Sequence, residues 1–254
     1  MLARAIRTIR DGLVASAFPQ QCRVCRGAVE SYDDGIACHL CWADPTITGL
    51  IADPICSKCG LPLPQTNSAS PSRRCGSCES FPFSAARASA AYGGAIEASI
   101  LYLKSYPRLC LRLREIILNT YSMRKADLTA DLVIPIPLHK SRQQERGFNQ
   151  ALLIANAIAR RDGLALDERS LVRVKRTERH RTGFDREDRA RSVARSFKVV
   201  RAEAIMNASI LLVDDVFTTG STICEAARTL LDRGAARVSV LTIARVVRSQ
   251  TSII

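Results

Sequence analysis

Apolar residues recur along this chain with two periods, and the alternation between them sets the first expectation of the fold. Leu2, Ile6, Ile9, Leu13 and Ala17 fall at steps of three or four with Arg4, Arg7 and Arg10 between them. That is an amphipathic helix, expected to pack on its own protein and to end at Phe18-Pro19. Helical spacing returns over Ala95 to Lys104, Leu109 to Met123, Gln150 to Arg161 and Ile223 to Arg233, the last stopped by Gly234. Between them lie short unbroken apolar runs, Leu132 to Pro137, Ile210 to Val213 and Val238 to Ala244. Such runs predict strands buried on both faces. Strands alternating with helices predict an α/β fold on a mostly parallel sheet flanked by helices. No apolar run approaches the roughly eighteen residues of a membrane span. The arginines inside Met1 to Ala17 interrupt what would be the apolar centre of a secretory signal, so a cytoplasmic location is expected.

Cysteine changes the picture for the first third of the chain. Eight of the 10 cysteines form Cys-x-x-Cys pairs: Cys22/Cys25, Cys38/Cys41, Cys56/Cys59 and Cys75/Cys78. In a reducing compartment this spacing is the knuckle that presents two sulfurs to one tetrahedral zinc rather than half of a disulfide. The gaps between pairs, 12, 14 and 15 residues, do not by themselves separate sequential ribbons from an interleaved cross-brace. The sequential pairing, Cys22/Cys25 with Cys38/Cys41 and Cys56/Cys59 with Cys75/Cys78, closes the shorter loops and is preferred. His39 sits inside the second knuckle but is redundant beside four sulfurs. The segment is rich in Pro, Gly and Ser and poor in long apolar runs, so metal must supply folding energy. Pro64 to Ser72 reads as a surface loop. Cys110 and Cys224, outside the pairs, are expected to be small buried residues.

Charge divides the chain at the same place. Residues 1–83 hold 8 Lys+Arg against 7 Asp+Glu, whereas residues 84–254 hold 29 against 17, a net +12 of the overall +13. The second part is built to meet anions. Its most basic stretch, Arg173 to Arg195, carries nine Lys+Arg against four acids and reads as a flap over a multiply charged substrate.

The richest chemistry lies in Ile210 to Thr222, where a buried strand delivers Asp214 and Asp215 and then Thr218, Thr219, Gly220, Ser221 and Thr222 open a helix. Small residues at a helix start expose amides and hydroxyls that can wrap a phosphate. Two acids at the carboxyl edge of a strand sit where open α/β sheets bind ligands and can accept hydrogen bonds from a ribose diol. Neither G-x-x-x-x-G-K-[ST] nor G-x-G-x-x-G occurs, so a P-loop ATPase and a dinucleotide-binding unit are not indicated.

These thirteen residues resemble the phosphoribosyl pyrophosphate (PRPP) loop of type I phosphoribosyltransferases. Val133-Ile-Pro135-Ile-Pro137-Leu-His139, followed by Arg142 and by Arg146-Gly147-Phe148-Asn149-Gln150-Ala151, resembles the hallmark of the ComF/GntX (competence protein F) family. That resemblance implies a helix and double zinc ribbon over residues 1–83 and a phosphoribosyltransferase-like domain over 84–254. It implies two structural zinc ions, with Mg²⁺ accompanying PRPP. It assigns Asp214 and Asp215 to the ribose hydroxyls, Thr218 to Thr222 to the 5′-phosphate, and His139, Arg142, Arg146 and Lys104 to pyrophosphate or phosphate. Two departures stand out: Arg181 and Ser192 occupy positions where many members carry Gln and Asn, and Thr218 stands where several purine phosphoribosyltransferases carry an acid. Purine salvage is disfavoured accordingly.

The leading expectation is a phosphoribosyl transferase of unknown acceptor, with the link to DNA uptake that the family resemblance implies. The rival keeps the scaffold without turnover, as a protein that binds single-stranded DNA or a competence helicase. Only 13 Phe, Trp and Tyr occur, so base stacking would be thin and phosphate contact would dominate. A PRPP sensor without turnover is a third form of the same site.

Overall fold

The computed structural model describes residues 20–65, 73–176 and 193–247. The helix expected over Leu2 to Ala17, most of the Pro64 to Ser72 loop and most of the Arg173 to Arg195 segment lie outside the described residues. Five strands form one parallel sheet in the order β1 (Ala85–Ala91), β7 (Arg237–Arg245), β6 (Ser209–Phe217), β2 (Leu132–Pro135), β3 (Ala165–Leu166). A separate antiparallel ribbon joins β4 (Leu171–Arg173) to β5 (Phe197–Val199).

Alternation along β6 builds two cores. Leu211 and Val213 face a cluster that includes Ile117 of α4 (Leu111–Met123) and Ile154 and Ile158 of α6 (Gln150–Asp162), with Ile100 of α3 (Gly94–Leu103). Ile210 and Leu212 face the opposite cluster, with Ile223 and Leu230 of α7 (Ser221–Leu231). Both faces of the central strands are dry, which is why they read as unbroken apolar runs. Asn149 starts α6 by accepting from the Ala151 amide at 3.0 Å, and its Nδ2 donates to the Ile136 carbonyl at 3.0 Å, tying the helix to the end of β2.

The order of strands creates a switch point. From β2 the chain runs outward through α5 (Lys140–Arg146) and α6 to β3 at one edge, whereas from β6 it runs through α7 to β7 on the other side. The carboxyl ends of β2 and β6 therefore diverge and leave a crevice between them, the place where open sheets take ligands. Pairing between β2 and β6 ends at Pro135 and Val213, but β6 stays paired with β7 as far as Phe217 and Arg245. The predicted strand was thus too short: Asp214 and Asp215 lie inside β6, on the stretch that β2 has left open.

The cysteine-rich segment, with the short helices α1 (His39–Ala43) and α2 (Pro45–Thr48), covers the β1 edge. Ile51 donates to Ser89 at 3.0 Å, Ala91 donates to Gly49 at 2.8 Å, and Ala86 donates to Lys58 at 2.7 Å, so no long unpaired edge remains there. Contact is close enough that a Cβ on Gly60 would stand 2.5 Å from the Ala86 carbonyl oxygen. Buried Arg87 adds a second tie, donating to the Ser57 carbonyl at 2.9 Å and to Asp127 at 2.8 Å.

Candidate zinc centres and ligand cavity

Cys22, Cys25, Cys38 and Cys41 bring their sulfurs together, and so do Cys56, Cys59, Cys75 and Cys78, all within 4.8 Å of one another in each set. Sulfur separations of 3.7 Å (Cys22 to Cys41) and 3.6 Å (Cys25 to Cys38, Cys56 to Cys78, Cys59 to Cys75) are far from a disulfide. They match the edge of about 3.8 Å expected for a tetrahedron of thiolates about 2.3 Å from zinc. These are two structural zinc sites, paired sequentially. His39 is outside the first set, its Nδ1 held 2.8 Å from Glu30.

Amides of the knuckles point at one sulfur in each set. Val24 and Cys38 donate to Cys22 Sγ at 3.4 and 3.3 Å, and Cys59 and Cys75 donate to Cys56 Sγ at 3.4 Å each. Burial pushes both thiols up, but these amide donors overrule it and bring Cys22 and Cys56 down to about 6. Each centre therefore has one thiol whose amide partners favour the thiolate form that metal binding requires.

The crevice between β2 and β6 holds a cavity of about 750 Å³ lined by Asp214, Asp215, Thr222, Lys104, Arg142, Arg146 and Arg173, with Gln150, Glu145 and the apolar Leu101, Ile136 and Leu138. Asp215 is 6% exposed. Its Oδ2 stands 3.0 Å from Lys104 Nζ and accepts from Gln150 Nε2 at 3.4 Å, while Arg146 donates to the Gln150 amide oxygen. Asp214 lines the same cavity half-buried, and desolvation there and then the charge of Asp215 raise its carboxyl well above the usual carboxylate range. Arg173 reaches the cavity because the β4 ribbon runs beside His139, and its guanidinium lies over the Phe197 ring at 5.3 Å. Burial lowers Arg173, and Asp214 works against that shift.

The expected site residues divide into groups. Asp214, Asp215, Thr222, Lys104, Arg142 and Arg146 line one cavity. Thr219 and Ser221 line a smaller cleft of about 180 Å³ on the far side of the loop, their hydroxyls 2.9 Å apart, and Thr218 is exposed. His139 caps α5: its Nδ1 accepts from the Ser141 amide at 3.3 Å, and it does not line the cavity. Gly220 is the N-cap of α7 with φ +82, and a Cβ there would stand 2.8 Å from Phe217 Cζ. Sequence reasoning gave no contact role to Gln150, although it sits in the Arg-Gly-Phe-Asn-Gln segment, and counted Arg173 only as part of the flap.

Residues 13–79 match the double zinc ribbon domain, and residues 150–251 match the phosphoribosyl transferase domain. The DNA utilization protein YhgH of Salmonella typhimurium is 29% identical over 198 residues, covering 75% of this chain and 84% of that protein. Competence protein ComFC of Bacillus subtilis is 38% identical over 120 residues, 45% of this chain and 44% of that one. Competence protein F of Haemophilus influenzae is 34% identical over 116 residues, 45% of this chain and 50% of that one. The two domain matches and these relatives together match the ComF family. Among solved structures, a glutamine phosphoribosylpyrophosphate amidotransferase from Bacillus subtilis aligns with 18% identity and a TM-score of 0.34, over 51% of this chain and 26% of that one. The match to the phosphoribosyl transferase domain starts at residue 150, so Lys104, Arg142 and Arg146 reach the cavity from outside it. Among the described residues no helix is long and apolar enough to cross a membrane.

Proposed function

We propose that the cavity binds PRPP or a related phosphoribosyl ligand together with Mg²⁺, and that the chain transfers the phosphoribosyl group to an acceptor. One observation carries this reading: Asp214 and Asp215 stand side by side on the stretch of β6 that β2 leaves open, over a cavity shared by Lys104 and three arginines. Vicinal ribose hydroxyls need acceptors, which the two carboxylates supply. Pyrophosphate needs cations, and Arg142, Arg146, Arg173 and Lys104 surround the same space. The amides at the start of α7 suit a terminal phosphate.

The donor set fits a hard cation. Asp215 offers a carboxylate and Asp214 a carboxyl from which a divalent cation would displace the proton, and no thiol or imidazole lines the cavity among the described residues. They would hold Mg²⁺, whose chemistry is to neutralise charge on the departing pyrophosphate. Lys104 keeps Asp215 oriented as an acceptor, and the arginines orient the leaving group.

Calorimetry with PRPP and Mg²⁺ tests the reading. Binding by the native chain and its loss in Asp214→Asn/Asp215→Asn are expected; equal heats would refute the ribose assignment. Turnover is read from pyrophosphate release in an acceptor screen, with hydrolysis controls.

A second reading, binding of single-stranded DNA or a competence helicase without turnover, is supported by the +12 charge of residues 84–254 and by the competence and DNA-utilization names of the relatives. DNA affinity should then fall steeply with salt, and a flat response counts against it.

A further inference from the structure

Arg245 ends β7 with its side chain 6% exposed, and a guanidinium so buried needs a compensating charge. Among the described residues no carboxylate pairs with it; its Nη1 donates to the Cys59 carbonyl instead. Its charge acts instead on Cys59 of the second zinc centre, which would carry a net charge of about −2 as four thiolates around Zn²⁺. The guanidinium also lies on the Phe217 ring, 4.9 Å from its centroid.

Phe217 is the last residue of β6, one position before Thr218. Its Cζ lies 2.8 Å from where a Cβ on Gly220 would be, so the ring forms the floor beneath the loop. Phe81 reaches the same spot: its Cζ is 3.4 Å from that point, and its ring centroid is 6.1 Å from that of Phe217. Its amide donates to the Cys78 carbonyl at 3.1 Å. Two routes therefore run from one zinc centre to one glycine, the first through Cys59, Arg245 and Phe217, the second through Cys78 and Phe81. The Cys22 centre packs in the other core, with α3 and α4, and touches neither route.

We propose that the Cys56/Cys59/Cys75/Cys78 centre holds the Thr218 to Thr222 loop in place, with Arg245, Phe217 and Phe81 as positioning residues. Without metal at this centre, Arg245 is left as a buried cation without its counter-charge, and the rings lose their backing. Loop order is then coupled to metal occupancy. The effect on ligand affinity rests on the phosphoribosyl reading above, and by linkage a ligand on the loop must retain the metal as strongly as the metal retains the ligand.

Hydrogen exchange on the full zinc-loaded chain without ligand tests the first part. In Arg245→Met the amides of Cys224, which donates to the Gly220 carbonyl at 2.7 Å, and of Val246, which donates to the Phe217 carbonyl at 2.9 Å, should exchange at least ten times faster, while those of Leu211 to Val213 stay protected and two zinc ions remain bound. Arg245→Lys, which keeps the charge, should recover part of the protection. If Arg245→Met loses zinc or core protection, Phe217→Leu takes its place with the same expectation. Native loop exchange in a folded variant of either kind overturns the proposal. In the native chain, PRPP with Mg²⁺ should slow release of one of the two zinc ions to a colorimetric chelator about tenfold and leave the other unchanged. Equal slowing of both, or of neither when calorimetry shows PRPP bound, also overturns it. Absence of PRPP binding by calorimetry would instead sink the phosphoribosyl reading, and the ligand-free exchange result would still decide the coupling.

Discussion

Replacing Lys104 with methionine removes an ammonium and keeps an unbranched stem of similar length. Lys104 Nζ stands 3.0 Å from Asp215 Oδ2, with the aspartate side chain 9% exposed and the lysine side chain 32%. At an effective dielectric of about 20, attraction at that separation is about 5.5 kcal/mol, most of it offset by desolvating the two ions. Removing one partner of a fully buried pair costs about 3–5 kcal/mol because the other charge is stranded. Here the ammonium is about one-third open to water and Gln150 still donates to Asp215, so the expected loss is smaller, about 2 kcal/mol. The assay is urea unfolding at fixed free zinc and pH 7 for native, Lys104→Met, Asp215→Asn and the double variant. A neutral amide needs no counter-charge, so the double variant should recover much of the loss, with a coupling of about 1.5 kcal/mol. Coupling below about 0.5 kcal/mol, the usual error of additivity, would refute the claim that Lys104 holds Asp215.

Three further outcomes are expected. Because burial and Asp215 raise the Asp214 carboxyl, its contribution to stability is fully present below the unfolded carboxylate range near pH 4 and is lost as pH rises through the native value. Asp214→Asn should therefore gain on the native chain in thermal melts as pH climbs from about 4 to 8, and a difference independent of pH would contradict this. Gly220→Ala places a Cβ 2.8 Å from Phe217 Cζ at φ +82 and should cost about 1–3 kcal/mol, checked by urea titration; an unchanged midpoint would mean the loop is not held as described. Metal analysis should find two zinc per chain, one in Cys22→Ser and one in Cys56→Ser, and chelation should unfold the ribbons because structural zinc contributes about 10–16 kcal/mol. Loss of both ions on either substitution would argue against independent sequential centres.

Local spacing carried much of the architecture. Four Cys-x-x-Cys knuckles, the runs Ile210 to Val213 and Val238 to Ala244, and the helices over 150–161 and 223–233 were visible because each depends on residues within a turn or two of one another. β1 was not visible. Its sequence, Ala-Ala-Arg-Ala-Ser-Ala-Ala, has no β-branched residue and favours a helix when isolated. It is a strand because β7 pairs it on one side and Gly49, Ile51 and Lys58 hydrogen-bond it on the other. The short α5 was missed for a related reason: Lys140 to Arg146 buries nothing and stands on the His139 cap and the turn at Gly147.

What the amino-acid order determined by itself is the chemistry available: eight zinc-binding sulfurs, two adjacent acids, a small-residue loop and an excess of cations in residues 84–254. Tertiary structure alone decided where that chemistry meets. Lys104, Arg142, Gln150, Arg173 and Asp215 are spread over more than a hundred positions, and they converge because β2 and β6 part at Pro135 and Val213 and leave one edge of β6 open. The sequential pairing of the knuckles and the contact of Arg245 with Cys59 belong to the same class. Periodicity records which side of an element is buried. Which distant element buries it depends on chain-long packing, and no window of neighbouring residues contains that information.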